Sequence, residues 1–138
     1  MKIAIIGTGN VGGALATHWS KVGHEINLGV QDTSQFKGMS LLENANTQVF
    51  QIGEAAHRSE VILVATPPQI APDLVKQFGD VSGKTIIDAT NSIRTRPEPY
   101  LTAFHAFAEL TNAAVVKCFN STGFENMKNP VYEDVALD

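Results

Sequence analysis

Gly7-Thr8-Gly9-Asn10-Val11-Gly12 follows directly on the apolar run Lys2-Ile3-Ala4-Ile5-Ile6 and opens a helical pattern. A G-x-G-x-x-G alone is weak, because glycines abound in turns. Between a buried strand and a helix, inside a βαβ unit of about thirty residues, it becomes a specific constraint. Each glycine then has its own task. Gly7 permits a tight turn, Gly9 lets the backbone approach a pyrophosphate, and Gly12 lets the helix pack closely on the strand. Free N–H groups at the helix start face the phosphates, helped by the helix dipole. A dinucleotide site is the expectation.

The rest of the chain repeats the same alternation. Val11, Leu15, Trp19 and Val22 stand at helical spacing, with Gly23 as the stop. Glu25 to Val30 reads as a second strand, and residues 31–46 as loop with a weak helix. Thr47 to Gln51 reads as a third strand, Gly53 to Arg58 as a short helix, and Val61 to Ala65 as a buried fourth strand. Ile70, Leu74, Val75 and Phe78 mark a helix closed by Gly79, before a fifth strand at Thr85 to Asp88. Leu101 to Leu110 carries another helix, and Ala114 to Phe119 a sixth strand. Strands alternating with helices predict an α/β, Rossmann-type, doubly wound parallel sheet of about six strands with helices on both faces. Ligands of such sheets bind beyond the carboxyl ends of the strands, where strand order reverses. The loops after Ile6, Val30, Ala65, Asp88 and Phe119 therefore matter most.

Composition narrows the function classes. The 138 residues make one expected domain, residues 1–138, and 43% of them are hydrophobic. A chain this size buries about two-thirds of its unfolded surface, so metal or disulfide staples are not needed. The net charge of −4, with no basic run, argues against a nucleic-acid partner. A single cysteine, Cys118, excludes an internal disulfide framework and a multi-thiolate zinc site. Ile3 to Ile6 is too short for the apolar region of a signal peptide, and no run reaches a membrane span. The cytoplasm is expected, with no membrane partner, and the sequon Asn120-Ser121-Thr122 reads as chance. Charged residues at 17% leave room for surface covered by a partner subunit or by residues outside this chain.

The cofactor's identity is open on the residues alone. Gln31 can donate to a phosphate or a hydroxyl, whereas Asp32 is placed either to bind the adenosine ribose or to cap the next turn. Thr33, Ser34 and Lys37 can reach a phosphate from the loop. Thr66-Pro67-Pro68 offers a rigid hydroxyl, and Asp88-Ala89-Thr90-Asn91-Ser92 offers amide and hydroxyl donors. Asp88 itself can equally be buried and satisfied by backbone N–H groups. Asn120-Ser121-Thr122-Gly123, with Glu125 and Asn126 beyond, suits a substrate pocket or a polar surface loop. His18, His24, His57 and His105 read as structural or solvated, away from the strand ends. Cys118 reads as an inert thiol inside a buried strand. No catalytic residue and no metal ligand set emerges. That fits hydride transfer between two cofactors, where the protein supplies orientation.

Residues 1–12, with Gly23-His24-Glu25 and Leu28-Gly29-Val30, resemble the coenzyme F420-dependent NADP oxidoreductases. Asp88-Ala89-Thr90-Asn91, Val116 to Gly123, Glu125-Asn126-Met127 and Asn129-Pro130 add to the resemblance, which spans essentially the whole chain. The fold and first motif are shared more distantly with pyrroline-5-carboxylate reductases. The resemblance implies NADP, with NAD as the alternative, and coenzyme F420 or a similar flavin-like molecule as second substrate. It implies that Thr8, Gly9, Asn10 and Val11 hold the pyrophosphate, and that Val30 and Gln31 face the adenosine 2′-phosphate. The loops at Thr66-Pro67 and Asn91 would flank the nicotinamide, and Asn120, Ser121 and Thr122 would border the second substrate. A homodimer is implied as well. Family members commonly carry Arg at the position of Gln31, and they continue past the point matching Asp138. A fragment, a truncated form or a shortened relative is the corresponding expectation. Two other readings stand beside the leading one. One is reduction of a small imine or carbonyl compound, with Thr122 or a residue beyond Asp138 as proton donor. The other is a nucleotide-binding module without catalysis.

Overall fold

The computed structural model describes residues 1–129, 131–132 and 135–136. Pro130, Glu133, Asp134, Leu137 and Asp138 of the expected domain lie outside the described residues. Six parallel strands form one sheet: β1 (Lys2–Ile6), β2 (Glu25–Val30), β3 (Thr47–Gln51), β4 (Val61–Val64), β5 (Thr85–Asp88) and β6 (Ala114–Lys117). Their order is β3-β2-β1-β4-β5-β6, so the direction of winding reverses between β1 and β4. The chain is an α/β protein of Rossmann type, as its alternating pattern predicts.

β1 shows why the sheet needs a layer on each side. Ile3 and Ile5 point into a cluster with Leu15 and Ala16 of helix α1 (Asn10–Lys21). Ala4 and Ile6 point the other way, into a second cluster. That cluster is roofed by α2 (Ile52–Arg58), α3 (Ala71–Phe78) and α4 (Ala103–Leu110). Burying one such isoleucine stabilises the fold by about 1.5–3 kcal/mol. A short helix α5 (Phe124–Lys128) packs against α1, and β7 (Val131–Tyr132) pairs antiparallel with β8 (Val135–Ala136). Neither α5 nor this ribbon is expected from the sequence pattern.

Helix ends follow local chemistry. Past α1, the His24 N–H bonds the Trp19 carbonyl and the Gly23 N–H bonds the Ser20 carbonyl, both at 3.0 Å. This is a Schellman closure, and Gly23 supplies its positive φ of 90°. Gly79 closes α3 with φ 67°. Thr102 caps α4 by accepting from the His105 N–H.

The two faces are not equally covered. Val115 packs into the cluster under α4, but Val116 is 48% exposed and Cys118 is exposed too. The expectation that Cys118 sits in a buried strand is therefore corrected. β6 is an edge strand ending at Lys117, and the described residues put no helix over its second face. No helix among the described residues is long and apolar enough to cross a membrane.

Candidate dinucleotide and substrate site

The turn from β1 to α1 is built from close approaches. Gly7 has φ 99°, and a Cβ there would lie 2.6 Å from the Ala65 carbonyl oxygen. A Cβ at Gly12 would overlap the Gly7 carbonyl oxygen and press on Ile5, so the helix could not close onto the strand. Gly9 is the opposite case: a Cβ there would meet nothing within 4 Å. The middle glycine thus borders open space, while its neighbours lock the turn. Gly9 also caps α1 without a side-chain acceptor, and no acidic residue occupies the first turn. The orphan N–H groups and the positive end of the dipole are left for an anion.

Beyond the ends of β1 and β2, at the reversal of strand order, lies a crevice of about 210 Å³. It brings together Gly7, Thr8, Val30, Gln31 and Thr66. Its floor is apolar, with Phe36, Ile52, Ile70 and Leu74. A second cleft, of about 530 Å³, runs along α1 from Thr8, Gly9 and Asn10 past His18 to Lys37 and Lys128. Loop 37–38 rests on the glycine turn: Thr8 Oγ1 donates to the Lys37 carbonyl, and Gly38 (φ 91°) has no room for a Cβ beside the Thr8 carbonyl oxygen, 2.7 Å away. Val11 lies partly buried in the core cluster, and Pro67 leads into the single turn ahead of α3.

Gln31 Nε2 donates to Gln77 Oε1 at 3.1 Å, which ties the end of β2 to α3. Asp32 Oδ1 accepts from the Ser34 N–H at 2.9 Å and from its hydroxyl at 2.6 Å. These bonds make Asp32 a turn cap and hold its carboxyl below the usual aspartate range. His18 lines the same cleft as the glycine turn. Its Nε2 is within 3.0 Å of the Lys128 carbonyl, a structural bond between α1 and α5.

A third cleft, of about 410 Å³, opens past β5 and β6 and is lined by Thr90, Asn91 and Asn120, among others. Asn120 Nδ2 donates to the Thr90 carbonyl at 2.7 Å, so this amide serves the fold. Ser121 and Thr122 do not line this cleft. Both are exposed, and Thr122 Oγ1 accepts from Asn126 at 2.7 Å. Asp88 is fully buried: Oδ1 accepts from the Thr90 N–H at 2.9 Å, and Oδ2 pairs with Lys117 Nζ at 3.0 Å. Lys117 lines the cleft and is the residue that reading the sequence missed. The signal was available in principle, because Asp88 and Lys117 stand opposite each other at the ends of adjacent strands. Among the described residues, no three His, Cys, Asp or Glu side chains come together as a metal site.

Comparison with known proteins agrees with this architecture. A candidate F420-dependent NADP-reductase from Arthrobacter sp. fb24 superposes with a TM-score of 0.79 at 24% identity, covering 94% of this chain and 67% of that one. A reductive aminase from Aspergillus terreus in complex with NADPH gives 0.61 at 22% identity, over 84% of this chain and 38% of that one. At such identities the likeness shows the fold. The glycerol-3-phosphate dehydrogenase [NAD(P)+] of Thermoanaerobacter sp. (strain X514) is 25% identical over 100 residues. That match covers 63% of this chain, which spans only 30% of the curated relative's length. The model of the family described as "NADP oxidoreductase coenzyme F420-dependent" matches residues 2–92, well over half of the chain. The chain belongs to that family.

Proposed function

We propose that the chain is an NAD(P)-dependent oxidoreductase that passes hydride between NADP(H) and coenzyme F420 or a similar flavin-like partner. The observation that carries this reading is the open face of Gly9 between two glycines that have no room for a side chain. A cradle shaped this way admits a pyrophosphate, and among the described residues nothing lies within 4 Å of a Cβ placed at Gly9. In the proposal, Gly7, Thr8, Gly9, Asn10, Val11 and Gly12 form the pyrophosphate cradle. Val30 and Gln31 lie at the adenosine end, with Lys37 as the cation for a 2′-phosphate. Thr66, Pro67 and Asn91 flank the nicotinamide, and Asn120, with Ser121 and Thr122 beyond it, borders the second substrate. When bound, the nicotinamide supplies or accepts hydride. The residues orient it and keep water out.

Lys37, in the loop that rests on the glycine turn, supports NADP over NAD, and Asp32 Oδ1 is already engaged by Ser34. Calorimetric titration of the chain with NADPH and NADH in parallel tests this, followed by an F420 reduction assay. Tighter binding of NADPH is expected; tighter NADH would return weight to Asp32, and binding of neither would sink the reading. A second reading, reduction of a small imine or carbonyl compound, is favoured by the ammonium group of Lys117 in the third cleft. Homodimerisation is part of the proposal, and light scattering at several concentrations decides it.

A further inference from the structure

An ammonium group and an orphaned hydroxyl meet in the cleft beyond β5 and β6. Lys117 Nζ donates to Asp88 Oδ2 and to the Thr90 carbonyl. A lysine ammonium carries three N–H donors, so one is left over after these two bonds. Thr90, 2% exposed and lining the same cleft, has a hydroxyl with no hydrogen-bond partner. A buried hydroxyl without a partner calls for an explanation, and a polar ligand atom is one. A plain ion pair stapling β5 to β6 would explain the first observation but not the second.

Resting on the oxidoreductase reading above, we propose that Lys117 protonates the second substrate, which carries a nitrogen at the end of a C=N bond or of a conjugated system ending in one. Deazaflavins such as F420 and cyclic imines both have this chemistry. The carbon end of the system takes hydride, for which the reduced nicotinamide is the donor, and the π electron pair moves onto nitrogen. One N–H bond of Lys117 breaks, its electron pair stays on the amine, and a new N–H bond forms on the substrate. The amine regains its proton from water. Asp88 is a positioning residue: it fixes Nζ at the cleft wall and leaves the third N–H for the substrate. Thr90 Oγ1 is the second polar contact.

The test uses the full chain, with coenzyme F420 and 1-pyrroline as alternative acceptors and NADPH as donor. Losing Lys117 alone would leave Asp88 buried without its partner, so the variants are D88N/K117M, which removes both charges, and K117R. Asn at position 88 can still accept from the Thr90 N–H. NADPH affinity by calorimetry is expected to stay within about twofold in both variants, which also reports folding. Turnover is expected to fall roughly 100-fold or more in both, the range for loss of a general acid. K117R keeps a cation but is a poor proton donor, so it should still bind F420 by fluorescence quenching while remaining slow. The unmutated chain should show a solvent deuterium isotope effect on kcat that K117R lacks. Unchanged turnover in D88N/K117M, or turnover restored by K117R, overturns the role of Lys117 and leaves the oxidoreductase reading standing. No turnover of either acceptor by the unmutated chain overturns that reading, and this proposal with it. Reduction of one acceptor alone identifies which source of the nitrogen the cleft serves.

Discussion

Adjacent glycines of one turn fail for different reasons, and substitutions separate them. Gly9→Ala places a methyl group in open space, so the fold should lose only about 1 kcal/mol from a poorer helix cap. In the proposed cradle the methyl would nonetheless stand between the protein backbone and the pyrophosphate. NADPH affinity should fall at least about tenfold, equivalent to roughly 1.4 kcal/mol. Gly12→Ala puts its methyl group onto the Gly7 carbonyl, an overpacking that costs roughly 1–3 kcal/mol before any ligand is present. Thermal melts and calorimetry on both variants should show opposite patterns: a binding defect with near-normal stability, then a stability defect. Asp32 gives a pH prediction. Bonds from the Ser34 hydroxyl and N–H lower its folded pKa, so the stabilisation is present above the ordinary aspartate range. It is lost as pH falls through the depressed value. Ser34→Ala should move the Asp32 carboxyl resonance titration upward in an NMR pH series; an unmoved titration would mean that the turn is not capped in solution.

Elements were legible where apolar runs are long enough to be buried on both sides. Ile3-Ala4-Ile5-Ile6 of β1 and Val61–Val64 of β4 are unbroken apolar runs, and their burial is set by the helices packed over both faces. β6 looks similar in sequence, yet its Val116 faces an uncovered side, because a run of apolar letters does not reveal where the helical layer stops. Cys118 is the measurable consequence. A native-state thiol reagent should label it fully without denaturant, and protection would mean that something covers this edge in solution. α5 escaped notice because Phe124–Lys128 is too short to show a period. Lys117 escaped because a lysine in an apolar strand carries no signal until register places Asp88 opposite it. The α1 stop, by contrast, was plain: Gly23 sits at φ 90° with open space around it. Gly23→Ala should therefore cost about 1–2 kcal/mol through backbone strain alone, visible as a lowered melting temperature with unchanged NADPH affinity.

On the scale of the whole molecule, the candidate site is assembled from loops at the ends of β1, β2, β4, β5 and β6. Those loops span most of the sheet's width, and one of the two core clusters runs from Ala4 to Phe107. A ligand that touches the glycine turn and the loops after β4 and β5 can bind only when the sheet is formed throughout. Binding energy is then available as folding energy. At a free NADPH concentration of about 100 times Kd, stabilisation should reach roughly 2.7 kcal/mol. For a domain of this size that raises the melting temperature by about 10 °C, and the shift should grow with the logarithm of ligand concentration. Gly9→Ala supplies the control, because it weakens the cradle while leaving the core intact: its melting temperature should respond only at proportionally higher NADPH. A shift of equal size in Gly9→Ala at equal NADPH would place the ligand somewhere other than the glycine turn. The site would then have to be sought elsewhere on the sheet.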